Sequence, residues 1–118
     1  MEIIGNRLMA SSIEEVIENP RLQSLKIKIM FPVDFANNIY EERFLIFKKV
    51  IYYSVDEIII PLGRIPMIHC INHLGKTKKY KSDGPKGEKM EIIRNKIEIQ
   101  TNIGKRIIEC ESYIFSVK

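Results

Sequence analysis

Residues suited to chemistry are few in this chain, and three of them crowd together: His69, Cys70 and His73. On a helix, a spacing of four puts the two histidines on one side, and imidazole and thiolate are both zinc ligands. A metal site needs three or four ligands, and no Asp or Glu in this stretch completes one. The plain alternative is a pair of exposed histidines on a helix face, so no metal is assigned. Cys70 beside His69 does not make a nucleophile and its base, because sequence neighbours on a helix do not face each other. The carboxylates, Glu14-Glu15, Glu41-Glu42, Asp56-Glu57, Glu109 and Glu111, fall in patterns usual for solvated faces. Nothing marks two of them as an acid/base pair. No G-x-S-x-G, P-loop or G-x-G-x-x-G motif is present, and Gly84-Pro85-Lys86-Gly87 lacks the GK[ST] and helix of a phosphate loop. The expectation is a protein that is not an enzyme, with no catalytic residues and no cofactor.

The one polarised feature is basic. The net charge is +4, but eight Lys or Arg and only three acids lie between Lys76 and Lys96. Eleven basic and twelve acidic residues make up the remainder, so the chain is nearly neutral outside that segment. Lys76, Lys78, Lys79 and Lys81 surround Tyr80, and Lys86 and Lys89 follow. These seven residues are the candidate partner-binding set. Such a segment suits an acidic protein surface, where charge speeds association. It also suits single-stranded nucleic acid, through phosphate neutralisation and base stacking on the aromatic ring. A merely solubilising loop is the third reading.

The elements that must position these residues follow from periodicity. Leu25, Ile27, Ile29 and Phe31 alternate with Lys26, Lys28 and Met30, which predicts a strand over 24–31. Pro32 should stop it or mark an edge, and Asn37-Asn38 reads as a turn within 34–41. Residues 42–54 are apolar on both faces and read as a central strand, with a further short strand over 57–61. Ser11 or Ser12, with Glu14 or Glu15 three residues on, resembles a capping box. Ile13, Val16 and Ile17 then share one helical face, which predicts a helix over 12–18 ended by Asn19-Pro20. Pro66 to Leu74 reads as a second helix with Gly75 as its C′ residue; a short strand over 67–71 competes. Residues 75–89, rich in Gly and Lys, read as a flexible basic loop.

Strands over 91–101 and 106–116 form the best-specified unit, an antiparallel hairpin. Taking 102–105 as the connection sets Ile99 opposite Ile108, Ile97 opposite Cys110 and Lys96 opposite Glu111. One face is then almost wholly apolar, with Cys110 inward, and only Glu98 against Glu109 is unfavourable. Gly104 can supply the positive φ of the turn.

At 118 residues and 45% apolar content, the chain is sized for one domain, 1–118, with one core. No stretch approaches the roughly 20 apolar residues that span a bilayer, and MEIIGNRLMASS lacks the apolar core of a signal peptide. The expectation is a cytoplasmic chain without a membrane partner, its Cys70 and Cys110 free thiols serving as small hydrophobes. The fold class expected is α+β: a mainly antiparallel sheet of four to six strands with one or two short helices.

E-R-F-L-I-F-x-x-V at Glu42–Val50 and I-E-I-Q-T-N-x-G-K-R-I-I-E-C-E-S at Ile97–Ser112 resemble small bacterial immunity-type proteins of toxin–immunity loci and the families grouped with them. The likeness covers about a quarter of the chain and consists of strand and turn patterns. It implies a cytoplasmic protein that binds and occludes a partner toxin, without catalysis. The expected function is therefore a non-enzymatic protein-binding module of the immunity or inhibitor kind. The alternative is a nucleic-acid-binding accessory domain using residues 76–89.

Overall fold

The computed structural model describes residues 2–58, 65–83 and 87–118. Eight strands follow one another: β1 (Ser12–Asn19), β2 (Ser24–Asp34), β3 (Ile39–Lys48), β4 (Tyr52–Glu57), β5 (Ile68–Asp83), β6 (Glu88–Thr101), β7 (Gly104–Cys110) and β8 (Ser112–Ser116). They form two antiparallel four-stranded sheets, ordered β1-β2-β3-β8 and β4-β7-β6-β5. There is no helix among the described residues, so the α+β expectation is corrected to an all-β fold.

Both expected helices are strands, and over 67–71 the competing strand reading is the one that forms. In β1 the register against β2 shifts between Ile13 and Glu15, and in β5 the register against β6 shifts between Ile68 and Cys70. A bulge inserts an extra residue, so side chains three apart return to the same face. Ile13 is buried with Val16 packed against the core, and Ile68 and Ile71 are fully buried. A bulged strand thus reproduces the i, i+3 spacing of a helix. The Ser12 hydroxyl, read as a cap, donates to its neighbour Glu14 at 2.8 Å. Gly75, expected at a helix end, has φ +101° and lies at another register shift in β5, between His73 and Lys76.

The apolar run 42–54 is two strands. Lys49, at φ +54°, turns the chain out of β3 and into β4 of the other sheet. The C-terminal chain makes the same crossing at Glu111, from β7 to β8. The two corners are bonded together: Glu111 N donates to Lys48 O at 2.9 Å and Ile51 N to Glu109 O at 2.9 Å. The other side is closed by the N-terminal segment, which bridges β5 through Gly5↔Ile71 and Ser12↔Met67. The pairings thus run β1, β2, β3, β8 and β7, β6, β5 and back to β1, as a partly open barrel. Its interior holds Leu25, Ile27, Ile29, Leu45, Phe47, Ile97, Ile99, Ile108 and Cys110.

β2 runs past Pro32 to Asp34, with a register shift between these two residues. Pro32 lies beyond the last β1 pair, Ser12↔Met30, where its missing N–H leaves no β1 partner unbonded. The strand expected over 57–61 falls, past Ile58, outside the described residues.

The terminal hairpin is shifted by two residues from the expected register. Thr101 pairs with Gly104, Ile99 with Arg106, Ile97 with Ile108 and Asn95 with Cys110. A two-residue slip preserves the faces, so Cys110 is fully buried but opposite Asn95. Lys96 now faces Glu109, and Glu98 faces Ile107, which removes the repulsive Glu98–Glu109 pair. The hairpin also ends at Cys110: residues 112–116 pair with β3, as in Leu45↔Phe115. Residues 75–83 and 88–89, read as loop, belong to β5 and β6.

Candidate functional site

β6 is paired with β7 only as far as Asn95↔Cys110, and the N-terminal segment bonds β5 no further along than Ile71. Beyond these points β5 and β6 pair only with each other among the described residues. From Lys76 to Asp83 and from Glu88 to Arg94 they form a two-stranded ribbon. Thus Lys76, Lys78, Lys79, Tyr80 and Lys81 stand on β5 and Lys89 on β6, while Lys86 lies outside the described residues.

Paired residues share a face of a ribbon. One face carries Lys76, Lys78 and Tyr80 with Asn95, Ile93 and Glu91; the other carries Thr77, Lys79 and Lys81 with Arg94, Ile92 and Met90. The second face leans on the two corners. Lys79 Nζ lies 2.9 Å from Glu109 Oε2 and 5.1 Å from the centre of the Tyr52 ring. Arg94 Nε donates to Lys49 O at 2.9 Å. The first face is open: Tyr80 is 65% exposed, and Lys78 Nζ makes only a 3.5 Å surface pair with Glu91. Burial pushes the Glu109 carboxyl up, but hydrogen bonds from Lys79 and Thr77 and the Lys79 charge hold it below its usual value.

His69, Cys70 and His73 lie on β5 and do not converge. The Cys70 thiol is 3.3 Å from Gln100 Oε1, and His73 Nε2 is 3.0 Å from Asn95 Oδ1. No three metal-ligating side chains come together among the described residues. Cys110 sits in the core, where burial pushes its thiol up to about 11, so it is protonated and unreactive at neutral pH.

A buried ionic cluster went unmarked by motif or spacing. Arg106 grips Glu57 with two bonds of 2.8 Å, from Nε and NH2, and its NH1 donates to Tyr53 Oη at 3.1 Å. Thr101 Oγ1 donates to Glu57 Oε2 at 3.2 Å. Both ion-pair side chains are 9% exposed. Burial alone would lower the Arg106 guanidinium; the bond to Glu57, with the charges of Tyr53 and Glu57, outweighs it and raises it. Burial pushes the Tyr53 hydroxyl up, against the pull of Arg106. The available signal was alternation: Arg106 is in phase with Ile108 and Cys110, on the core face. An open cleft of about 280 Å³ adjoins Tyr53, between the β1–β2 turn at Glu18–Ser24 and the β3–β4 corner at Val50–Tyr53.

Comparison of the chain with protein-family models, with curated proteins and with solved structures gives no match. No helix among the described residues is long and apolar enough to cross a membrane.

Proposed function

We propose that the protein is a non-enzymatic binding module that holds an acidic protein partner on the β5–β6 ribbon and occludes it, in the manner of an immunity or inhibitor protein. The observation that carries this reading is the ribbon itself, a lysine-rich pair of strands with Tyr80, Met90 and Ile93 exposed among the charges. Aromatic and methionine side chains supply binding energy in protein interfaces, and the lysines supply steering toward an acidic surface. The immunity character rests on the resemblance at Glu42–Val50 and Ile97–Ser112.

The test is affinity capture from the native organism with the unaltered chain and with Lys76→Ala, Lys78→Ala and Tyr80→Ala combined. The expected result is one protein, held by the unaltered chain, released by added salt and missed by the variant. Its activity should fall when the unaltered chain binds. Equal capture by both chains would sink the reading.

A second reading rests on Tyr80, whose exposed ring on the same face as Lys76 and Lys78 offers a stacking platform for single-stranded nucleic acid. It requires that the unaltered chain bind a labelled oligonucleotide at low salt. It further requires that substituting Tyr80 weaken binding without changing the salt slope.

A further inference from the structure

The ribbon lysines have a property that neither face explains. Lys78 and Lys79 are consecutive, so the pleat sends Lys76 and Lys78 to one side and Lys79 and Lys81 to the other. A partner lying flat on one face would meet only half of them. What the four share is the outer edge of β5, whose far side pairs with no strand from Lys76 onward among the described residues. An unpaired edge presents a row of N–H and C=O groups that templates another strand. The opposite edge of the ribbon differs: β6 from Glu88 to Arg94 has Glu88 and Glu91 against Lys89 and Arg94, with Arg94 turned onto Lys49 O, whereas β5 from Lys76 to Asp83 has four lysines against Asp83 alone. Charge therefore distinguishes the two edges.

We infer that the outer edge of β5 over residues 76–83 receives an extended acidic segment of the partner protein, which adds to the ribbon as a third strand. This rests on the protein-binding reading above and states how the partner is held. Main-chain bonds supply the strand geometry, and acidic side chains on both faces of the incoming strand meet Lys76 and Lys78 on one side and Lys81 on the other. Lys79 is already committed to Glu109 and anchors the ribbon root. Binding of a second copy of this chain through the same edge is disfavoured, because β5 against β5 would set lysine rows beside lysine rows.

The experiment uses the full chain and three capped octapeptides of Glu, Thr and Val, measured by fluorescence anisotropy at low salt. The first has glutamates on both strand faces. The second and third are the same sequence N-methylated at alternate residues, one in each phase. N-methylation removes main-chain donors and leaves the charge intact. The expected result is binding of the first peptide, and weakening by about tenfold or more in whichever phase loses the strand-facing donors. Lys76→Glu, Lys78→Glu and Lys81→Glu together should abolish binding while the circular dichroism stays unchanged.

Equal affinity for all three peptides would overturn strand addition and leave a charge-only contact. No peptide binding, with the native partner still captured and salt-released, would overturn the edge and leave the protein-binding reading standing. An oligonucleotide that binds the ribbon and displaces the peptide would overturn the protein partner itself.

Discussion

Arg106 and Glu57 show what a single side-chain pair contributes here. Removing one partner leaves the other charge buried and uncompensated, so Arg106→Ala or Glu57→Ala should each destabilise the fold by about 3–5 kcal/mol, read as a shift in the urea midpoint. Replacing both at once, Glu57→Leu with Arg106→Met, should come out near neutral or more stable. Lys79 and Glu109 give the pH-dependent counterpart. The folded Glu109 carboxyl titrates below its usual 4.5, so its contribution is present above that value and is lost as pH falls through the folded one. The stability gap between the unaltered chain and Lys79→Met should be largest at neutral pH and close toward acid, in denaturation series across pH. At this scale the sequence was partly legible. Cys110 declares itself by alternating with Ile108, whereas the partners of Arg106 lie about fifty residues upstream, at Tyr53 and Glu57. No local pattern reports a pairing over that separation.

Among elements, the strand over 24–31 was legible because its alternation admits only one reading, and the strands over 91–101 and 106–116 were legible as a facing pair, although 112–116 is a separate strand, β8. β1 was not, because its bulge imitates helical spacing around Ile13–Val16; over 66–74 a helix and a strand both stood open, and the strand is what forms. The β5–β6 ribbon was missed for a different reason. It buries little, so its lysines carry no apolar rhythm, and the strand persists through pairing with β6. The register of the β6–β7 hairpin turned on charge, since either register keeps the faces and only the observed one separates Glu98 from Glu109. Its turn has one strict requirement. Gly104 has φ +151°, and a Cβ there would lie against the carbonyl oxygen of Asp56 and 2.8 Å from Glu57 Cα. Gly104→Ala should therefore destabilise by about 1–3 kcal/mol, measured by thermal or urea unfolding, and should disturb the Glu57–Arg106 pair beside it.

For the molecule as a whole, the contrast is between a partly open barrel with an apolar interior and a ribbon held mainly by its own hydrogen bonds. In native-state hydrogen exchange, amides of β5 beyond Lys76 should exchange through local opening, well before those of Ile97 and Ile99, which require global unfolding. The bonded corners have a further consequence, in the order of events as the chain folds. β1–β2, β5–β6 and β6–β7 are neighbours along the chain and can pair at once. Leu45 and Phe115, by contrast, are about seventy residues apart when they meet, and closing so long a loop is entropically slow. The barrel should therefore assemble as separate hairpins that wait for β8 to clasp β3. Until it does, the apolar edge of β3 stands open, and that interval is when this chain is most exposed to pairing with its own copies.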